Sequence, residues 1–509
     1  MMGEMIDVVV IGAGLGGLMA AAKLARRGRK VLVLERKSLP GGTSYVFRRG
    51  GYAFPMGPLS FSFPRRVRDL LARVGVDEPV AFRRSGFELR TPFVDVMMSK
   101  PLEDLEPDLL ASFPGEAAGL AEFFGLLGAA IAVSKDMDLW HPDFGGGRPN
   151  RDRAPGPGPG AAARAAEVRR LAATPAADVL DRLIASGPLK NFLGSMGSHR
   201  PEMSLLNLAL MWNIIAEEGI WFPSCGVHGL ADLLRRKVAE FGGEVRLSEP
   251  VSRILVRGGR AAGAVTAGGA AVEARWVVSN ADYKTTLLEL LDPADVPGLD
   301  LGPVRAAPYT ESELCVYLGL VPERVDLGAV HAEHLFFRRE VREEGAGDAE
   351  DFDDREIEVC HWSRQAPDLT PAGRASLVLR VGFPYGHFAV WRTGEKKRKD
   401  GYREEKARLA GKLIRTVESV LPGLSGAVEV TETATPLTYR DWGGRYGGSI
   451  AGWSWGTGAS GVLPAKLLVR TPVPGLFAAG AYAAAELFLG GVPTALYTGD
   501  LAAEYILAG

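Results

Sequence analysis

Near its start the chain alternates between short apolar runs and a segment of helical periodicity. Ile6–Ile11 is β-branched and almost continuously apolar, the pattern of a strand buried in a parallel sheet. Leu15–Arg27 carries helical signal and stops at Gly28, and Arg29–Leu34 is a second apolar strand closed by Glu35. Together they predict a βαβ unit of about thirty residues.

Further along, Pro107–Ser134 and Ala161–Ala216 read as mostly helical. Gly229–Phe241 predicts an amphipathic helix with Leu230, Leu233, Leu234, Val238 and Phe241 on one face. Glycine pairs separate the strand-like runs Glu244–Leu247, Val251–Val256, Ala262–Thr266 and Trp276–Ser279. Tyr402–Leu421 is helical up to Pro422-Gly423, and Pro493–Leu507 is a closing helix with proline in its first turn. Gly145–Gly160 is Pro/Gly-rich and reads as a flexible loop. The acidic stretch Arg338–Glu358 and the basic run Lys396–Lys399 read as solvated loops.

Composition narrows the class. With 509 residues, a net charge of -2 and 47% hydrophobic residues, the chain is globular and long enough for two or three domains. Lys+Arg (59) balances Asp+Glu (61), which argues against a nucleic-acid partner. Cys225, Cys315 and Cys360 are few and far apart, so neither a disulfide framework nor structural zinc is expected and a reducing compartment is. Val8–Ala22 is apolar enough to mimic a signal peptide, but Glu4 and Asp7 stand where positive charge belongs. Gly119–Val133 and Leu205–Ala216 read as too short to span a membrane.

Between the first strand and helix, Gly12-Ala13-Gly14-Leu15-Gly16-Gly17 spells G-x-G-x-x-G in the context that gives this motif meaning. Gly12 permits the tight turn, Gly14 admits a pyrophosphate to the backbone, and Gly17 lets helix and sheet approach. Leu15 and Gly16 open the helix, whose amides and positive dipole end face the phosphates. Glu35 suits a ribose diol and would repel a 2′-phosphate, so a dinucleotide other than NADP is expected. Gly41-Gly42-Thr43 brings a second glycine segment beside the cofactor, more than a nicotinamide dehydrogenase usually needs. No second fingerprint occurs in a βαβ context. Near the other terminus, Leu476–Ala479 reads as a buried strand followed by Gly480, and Gly490-Gly491-Val492-Pro493 opens the last helix. That helix N-terminus suits negative charge on a reduced flavin ring.

These blocks resemble the phytoene desaturase, carotenoid isomerase and retinol saturase family of FAD-dependent oxidoreductases. The likeness covers VVVIGAGLGGLMAAAKLARRGRKVLVLERKSLPGGTSYVF, then GIWFPSCGVHGLADLLRRK with VSRIL and VVSNAD, then TPLTYRDWGGRYGG and PGLFAAGAYAAAELFLGGVPTALYTGDLAAEYI. It implies FAD as cofactor, with Gly12, Gly14 and Gly17 at the pyrophosphate and Glu35 at the adenosine ribose. It places Arg36 beside the adenine side, Gly41 and Gly42 toward the flavin, and the backbone of Val251 against adenine. Gly480, Gly491 and Val492 would flank the ribityl chain and flavin ring. Three departures bear on substrate and reaction direction rather than on the cofactor: Pro55-Met56-Gly57, Gly226-Val227, and the loose spacing from Gly480 to Gly490.

The implied architecture is α/β, a discontinuous Rossmann-type FAD-binding domain with an inserted α+β substrate domain. Residues 1–100, 219–290 and 431–509 are assigned to the FAD domain, 101–218 to a largely helical substrate region with flexible loop 145–160, and 291–430 to the rest of the substrate domain. The implied activity is desaturation, saturation or isomerisation of carbon–carbon double bonds in an apolar isoprenoid or carotenoid-like lipid, by hydride transfer at flavin N5. Saturation needs a proton donor, for which Tyr446, Tyr482 and Glu486 are candidates. His199-Arg200 could line the cavity, and Cys225 or His228 could link a flavin covalently. Leu120–Val133 and Leu205–Trp212 could form a lipid tunnel or membrane-facing patch, or simply a domain core. The expected acceptor is a quinone or oxygen. The expected location is cytoplasmic, with peripheral contact at the inner face of the membrane. The rival activity is an oxidase of the amine oxidase or protoporphyrinogen oxidase type, for which Trp453 and Trp455 could cage an amine. The rival outside catalysis is a flavin-binding lipid carrier.

Overall fold

A computed structural model of the chain describes residues 6–77, 80–136, 161–195, 201, 203–342, 348–450, 452–454, 467–484 and 491–509. Segment 145–160, His199, Arg200, Trp455 and Glu486 lie outside these.

Two seven-stranded sheets organise the molecule. In the first, Ile6–Ile11 pairs in parallel with Val31–Leu34 on one side and Ala271–Ser279 on the other. Glu244–Arg246 and Leu476–Ala478 extend it in parallel, while Val251–Arg257 and Arg260–Thr266 add antiparallel strands. Val8, Val9, Val10, Val33, Val277 and Val278 are all fully buried, as expected for a sheet covered on both faces.

The first helix, Leu15–Arg26, packs against the last, Gly491–Leu507. Glycines allow backbone contact: a Cβ on Gly499 would lie 2.1 Å from the Gly16 carbonyl oxygen, and one on Gly16 2.5 Å from the Gly480 nitrogen. A buried ion pair joins the same helices, with Lys23 Nζ 2.5 Å from Asp500 Oδ1 and Arg73 reaching Asp500 Oδ2 at 2.7 Å.

The second sheet runs in the order Val428–Ala434, Ser312–Leu320, Ala375–Phe383, Ile357–Cys360, His334–Phe337, Phe87–Arg90, Asp95–Met97. Alternation sorts its side chains. Leu314, Val316, Leu377, Leu379 and Val359 share a core with Leu409, Leu413 and Val417 of the helix Tyr402–Glu418. Cys315, Tyr317, Cys360 and Val378, on the opposite face, join the core that holds the parallel sheet.

A helical region forms a third core. Leu120, Phe123 and Leu127 of Ala117–Asp136 pack on Leu205, Leu208 and Trp212. Counted from its preceding turn, the segment Pro114–Val133 is long and apolar enough to cross a membrane, which corrects the sequence estimate of its length.

The acidic stretch also departs from expectation. Arg338, Asp354 and Glu358 are buried, and Ile357–Cys360 is a strand rather than part of a solvated loop. Opposite charges accompany this burial: Arg338 Nη1 lies 3.9 Å from Asp354 Oδ1, and Arg380 Nε donates to Glu358 at 2.7 Å. The basic run stays largely exposed on a small hairpin, although Arg398 is drawn onto Asp441 at 2.7 Å.

Candidate active site

A cavity of about 750 Å³ runs from the glycine loop of the first sheet to the charged face of the second. Its nucleotide end is made by backbone. Gly12 has φ +94°, which glycine alone adopts readily. The Gly41 amide donates to the Ala13 carbonyl at 2.7 Å, and Gly41 bridges Gly14, so the two glycine segments meet. The Glu35 carboxylate, 4% exposed, accepts from the Ala13 amide at 2.7 Å and the Lys37 amide at 2.9 Å. It braces the glycine loop while facing the cavity. The first helix starts at Gly14 with no cap from that residue's own side chain and no acid in its first turn; Asn280 takes the Gly17 amide, and the dipole with the amides ahead of it faces an anion.

The remaining sequence-derived residues fall into two groups. Gly12, Gly14, Leu15, Glu35, Arg36, Gly41, Gly42, Thr43, Val251, Gly480, Gly491 and Tyr482 line the cavity. Gly16, Gly17, Val492 and Tyr446 are not part of that lining. Gly16 and Gly17 act through packing: a Cβ on Gly17 would lie 2.2 Å from the Gly12 carbonyl oxygen. Arg36 donates to the Trp442 carbonyl at 2.9 Å, which ties the ribose side to the C-terminal block. Burial pushes the neighbouring Lys37 ammonium down to about 8 despite the pull of Glu35, and it donates to the Gly42 carbonyl at 3.2 Å.

Several residues missed by sequence reasoning complete this end. The Asn280 side-chain oxygen accepts from the Gly17 amide at 3.0 Å and sits among Gly12, Gly14, Gly16 and Gly480. Arg445 donates to Thr43 Oγ1 at 2.9 Å, joining the last motif block to the second glycine pair. Asp282 accepts from the Tyr309 hydroxyl at 2.8 Å and from the amides of Lys284 and Tyr446. Burial pushes its carboxyl up while these bonds oppose the shift. Asn280 and Asp282 stand in VVSNAD and Arg445 in GRYGG, so the motifs marked their location without revealing their contacts.

The donor candidates separate. Tyr482 faces the cavity, but its hydroxyl is engaged with Ser449, 2.8 Å from Oγ and 3.1 Å from the carbonyl oxygen. The Tyr446 ring lies beside Lys284 and Arg440. Trp453, the candidate amine cage, surrounds an internal cation instead: Lys284 Nζ lies 5.8 Å from its ring and 4.8 Å from that of Tyr309. Cys225 and His228 are not among the cavity-lining residues, nor are the apolar helices Ala117–Asp136 and Leu205–Trp212. The buried sides of those helices pack into the helical core.

The far end of the cavity is carried by the second sheet and is charged. Glu313, Glu356, Glu358, Arg380, Phe336 and Tyr439 line it. Arg380 Nε donates to Glu358 at 2.7 Å, and His334 Nδ1 lies 2.8 Å from the other oxygen of the same carboxylate. Burial pushes Glu358 up, but Arg380 and His334 outweigh it and hold the group at about 2. The Tyr439 hydroxyl donates to Glu313. Glu356 Oε2 has no hydrogen-bond partner among the described residues, and burial pushes the carboxyl up to about 8, with Arg338 opposing the shift and Glu358 adding to it.

The residues present fit a flavin dinucleotide: a glycine cradle, a helix start and a buried carboxylate at a strand end share one elongated cavity. The family model for flavin containing amine oxidoreductases matches residues 15–507. The chain is 24% identical over 497 residues to a prolycopene isomerase of Daucus carota, covering 93% of this chain and 76% of that protein. It is 25% identical to an all-trans-retinol 13,14-reductase of Danio rerio, covering 94% and 82%. A zeta-carotene-forming phytoene desaturase of Myxococcus xanthus is 28% identical, covering 86% and 82%. Among solved structures, putrescine oxidase bound to putrescine superposes with a TM-score of 0.62 at 15% identity, covering 99% of this chain and 100% of that one.

Proposed function

The chain belongs to the flavin containing amine oxidoreductase family and is an FAD-dependent oxidoreductase, and from that premise we propose that it acts on carbon–carbon double bonds of an isoprenoid lipid. The observation that carries this reading is the continuity of the cavity from the glycine loop to the second sheet. A dinucleotide would be held at Gly12–Gly17 and Glu35, leaving the part of the cavity lined by Phe336 and the second sheet for a substrate. The isoprenoid class is supported by the names of the three similar proteins.

Bound FAD supplies hydride transfer at its flavin ring. This chain's residues hold and orient. Glu35 and the glycine loop fix the nucleotide, Arg445 and Asn280 lock the surrounding segments together, and the second sheet walls the reacting region from water. We read the acceptor as a quinone or oxygen, and the exposed side of Ala117–Asp136 as a contact with the inner face of the membrane. A second reading, amine oxidation, is favoured by the carboxylates Glu313 and Glu358, which attract a cation. Opposing it, Glu358 is already paired with Arg380 and His334, and Glu313 accepts from Tyr439.

The visible spectrum of the purified protein, followed anaerobically as a polyene in lipid vesicles is added, tests the reading. Bleaching of a flavin band establishes desaturation. A band that persists, but whose chemically reduced form is reoxidised by the polyene, establishes saturation. Peroxide release with amines and inertness toward polyenes moves the assignment to amine oxidation. A flavin that neither lipid, quinone nor reductant cycles identifies a carrier.

A further inference from the structure

The charged wall of the cavity is assembled from neighbouring strands of the second sheet. Glu313, Arg380 and Glu358 stand on adjacent strands, Glu358 lies opposite Arg380 in register, and Phe336 lies opposite Glu358 on the next strand. Alternation sets His334 and Arg338 on the same side as Phe336, and Glu356 on the same side as Glu358. Two carboxylates and one guanidinium in this group satisfy one another, and Tyr439 completes Glu313.

The rest is not satisfied. Glu356 Oε2, His334 Nε2, and Nε and Nη1 of Arg338 are buried and lack a hydrogen-bond partner among the described residues. Buried polar groups in folded proteins are nearly always paired. At the nucleotide end, both oxygens of Glu35 are engaged. Among the second-sheet groups left without a partner, Glu356 is the one that lines the cavity; Thr285 Oγ1, elsewhere in the lining, also lacks a hydrogen-bond partner among the described residues. A purely hydrocarbon ligand would cover these groups without pairing them, which is unfavourable.

Resting on the isoprenoid reading above, we propose that this wall is a hydrogen-bonding subsite for a hydroxyl group at one terminus of the substrate, with Glu356 as the partner. An isoprenoid alcohol or hydroxylated polyene is then preferred to the plain hydrocarbon. A carboxylate-bearing ligand is disfavoured by Glu313 and Glu358. An ammonium finds Glu358 already neutralised by Arg380. Glu356, held up to about 8, is mostly protonated at neutral pH and can both donate and accept, as a hydroxyl does.

The test uses the full chain loaded with FAD. Dissociation constants are measured from flavin absorbance changes for two matched pairs in the same micelles: geranylgeraniol against the hydrocarbon of the same skeleton, and dodecanol against dodecane. Each alcohol is expected to bind about tenfold tighter than its hydrocarbon. Glu356→Leu should reduce that preference to less than about threefold and leave hydrocarbon affinity in place, while Glu356→Gln retains the preference. Bound flavin in each variant reports folding. Should Glu356→Leu lose it, the wild-type ratio alone decides. Equal affinities in wild type, a preference that survives Glu356→Leu, or dodecylammonium binding tighter than dodecanol overturns the proposal. If geranylgeraniol and its hydrocarbon bind equally well, the isoprenoid reading stands and the subsite falls. If neither geranylgeraniol nor its hydrocarbon binds while dodecanol binds tighter than dodecane, the subsite stands and the isoprenoid reading falls. No binding of any probe sinks both.

Discussion

The two ends of the cavity are built from different materials. At the nucleotide end, polar contacts come from the backbone: glycine amides, a helix start, and one carboxylate, Glu35, whose two oxygens both accept from main-chain amides. At the substrate end they come from side chains on separate strands, Glu313, Arg380, Glu358 and His334, and several buried atoms lack partners. The first end is closed by backbone at Gly16 and Gly17, where a Cβ would clash. The second is held by paired charges. The difference teaches that the cofactor end depends on the path of the backbone, whereas the far end depends on which side chains the sheet order brings together.

The largest break in this contrast comes from Gly17→Ala. The new Cβ would lie 2.2 Å from the Gly12 carbonyl oxygen, a backbone atom that cannot swing away. The expected outcome is loss of bound FAD, at least about a hundredfold in affinity, read from the visible absorbance of the purified protein. An ordinary flavin band in this variant breaks the claim that the nucleotide end is sterically closed.

Glu358→Leu probes the other end. It leaves the Arg380 guanidinium with Glu313 at 3.9 Å as its remaining recorded carboxylate and should lower stability by about 3–5 kcal/mol, measured by denaturant unfolding. Removing Glu35 is expected to matter less to folding. Glu35→Ala should cost about 1–3 kcal/mol through the two freed amides, and FAD affinity should fall about tenfold or more in titration. If Glu358→Leu instead removes FAD and leaves stability intact, the division of labour between the two ends is wrong.

Two smaller effects sharpen the comparison. The Glu356 carboxyl is raised from 4.5 to about 8, so the folded state holds its proton over a range where the unfolded chain has released it. Its contribution to stability is complete below about pH 4.5 and is lost as pH rises through about 8. The difference in melting temperature between wild type and Glu356→Gln should therefore drift against wild type from pH 5 to 8. A flat difference for Glu356→Gln contradicts the assignment. The smallest change is Tyr482→Phe. Because its hydroxyl is engaged with Ser449, turnover should change by less than about threefold, with about 1 kcal/mol lost in stability. A much larger loss of turnover would return Tyr482 to the role of proton donor.

Much of the nucleotide end was legible in advance because its determinants are local. A glycine fingerprint between a strand and a helix, and an acid at the next strand end, are contiguous features tied to backbone geometry. Gly16 and Gly17 were legible as motif members, but their role emerged as contact with Gly480, Ala495 and the Gly12 carbonyl. Asn280 was visible in VVSNAD, yet only folding brings its side chain onto the Gly17 amide. The acidic stretch was misread for a definite reason. Glu356, Ile357, Glu358 and Val359 alternate as a strand does, but dense negative charge made solvent the natural destination for the polar face. In the folded chain Arg380 stands opposite Glu358 and His334 reaches its other oxygen, and together they hold it inside.

By itself, then, the amino-acid order determined the cofactor class and its cradle, since a dinucleotide is held by backbone turns and helix ends encoded over a few dozen neighbouring residues. Only the tertiary structure decided the character of the substrate wall. Glu313, Phe336, Glu358, Arg380 and Tyr439 are far apart in the chain and meet through sheet order and register. Whether a buried charge is paired or bare depends on that meeting, because electrostatic and hydrogen-bond energies are set by distances across the fold rather than along the sequence.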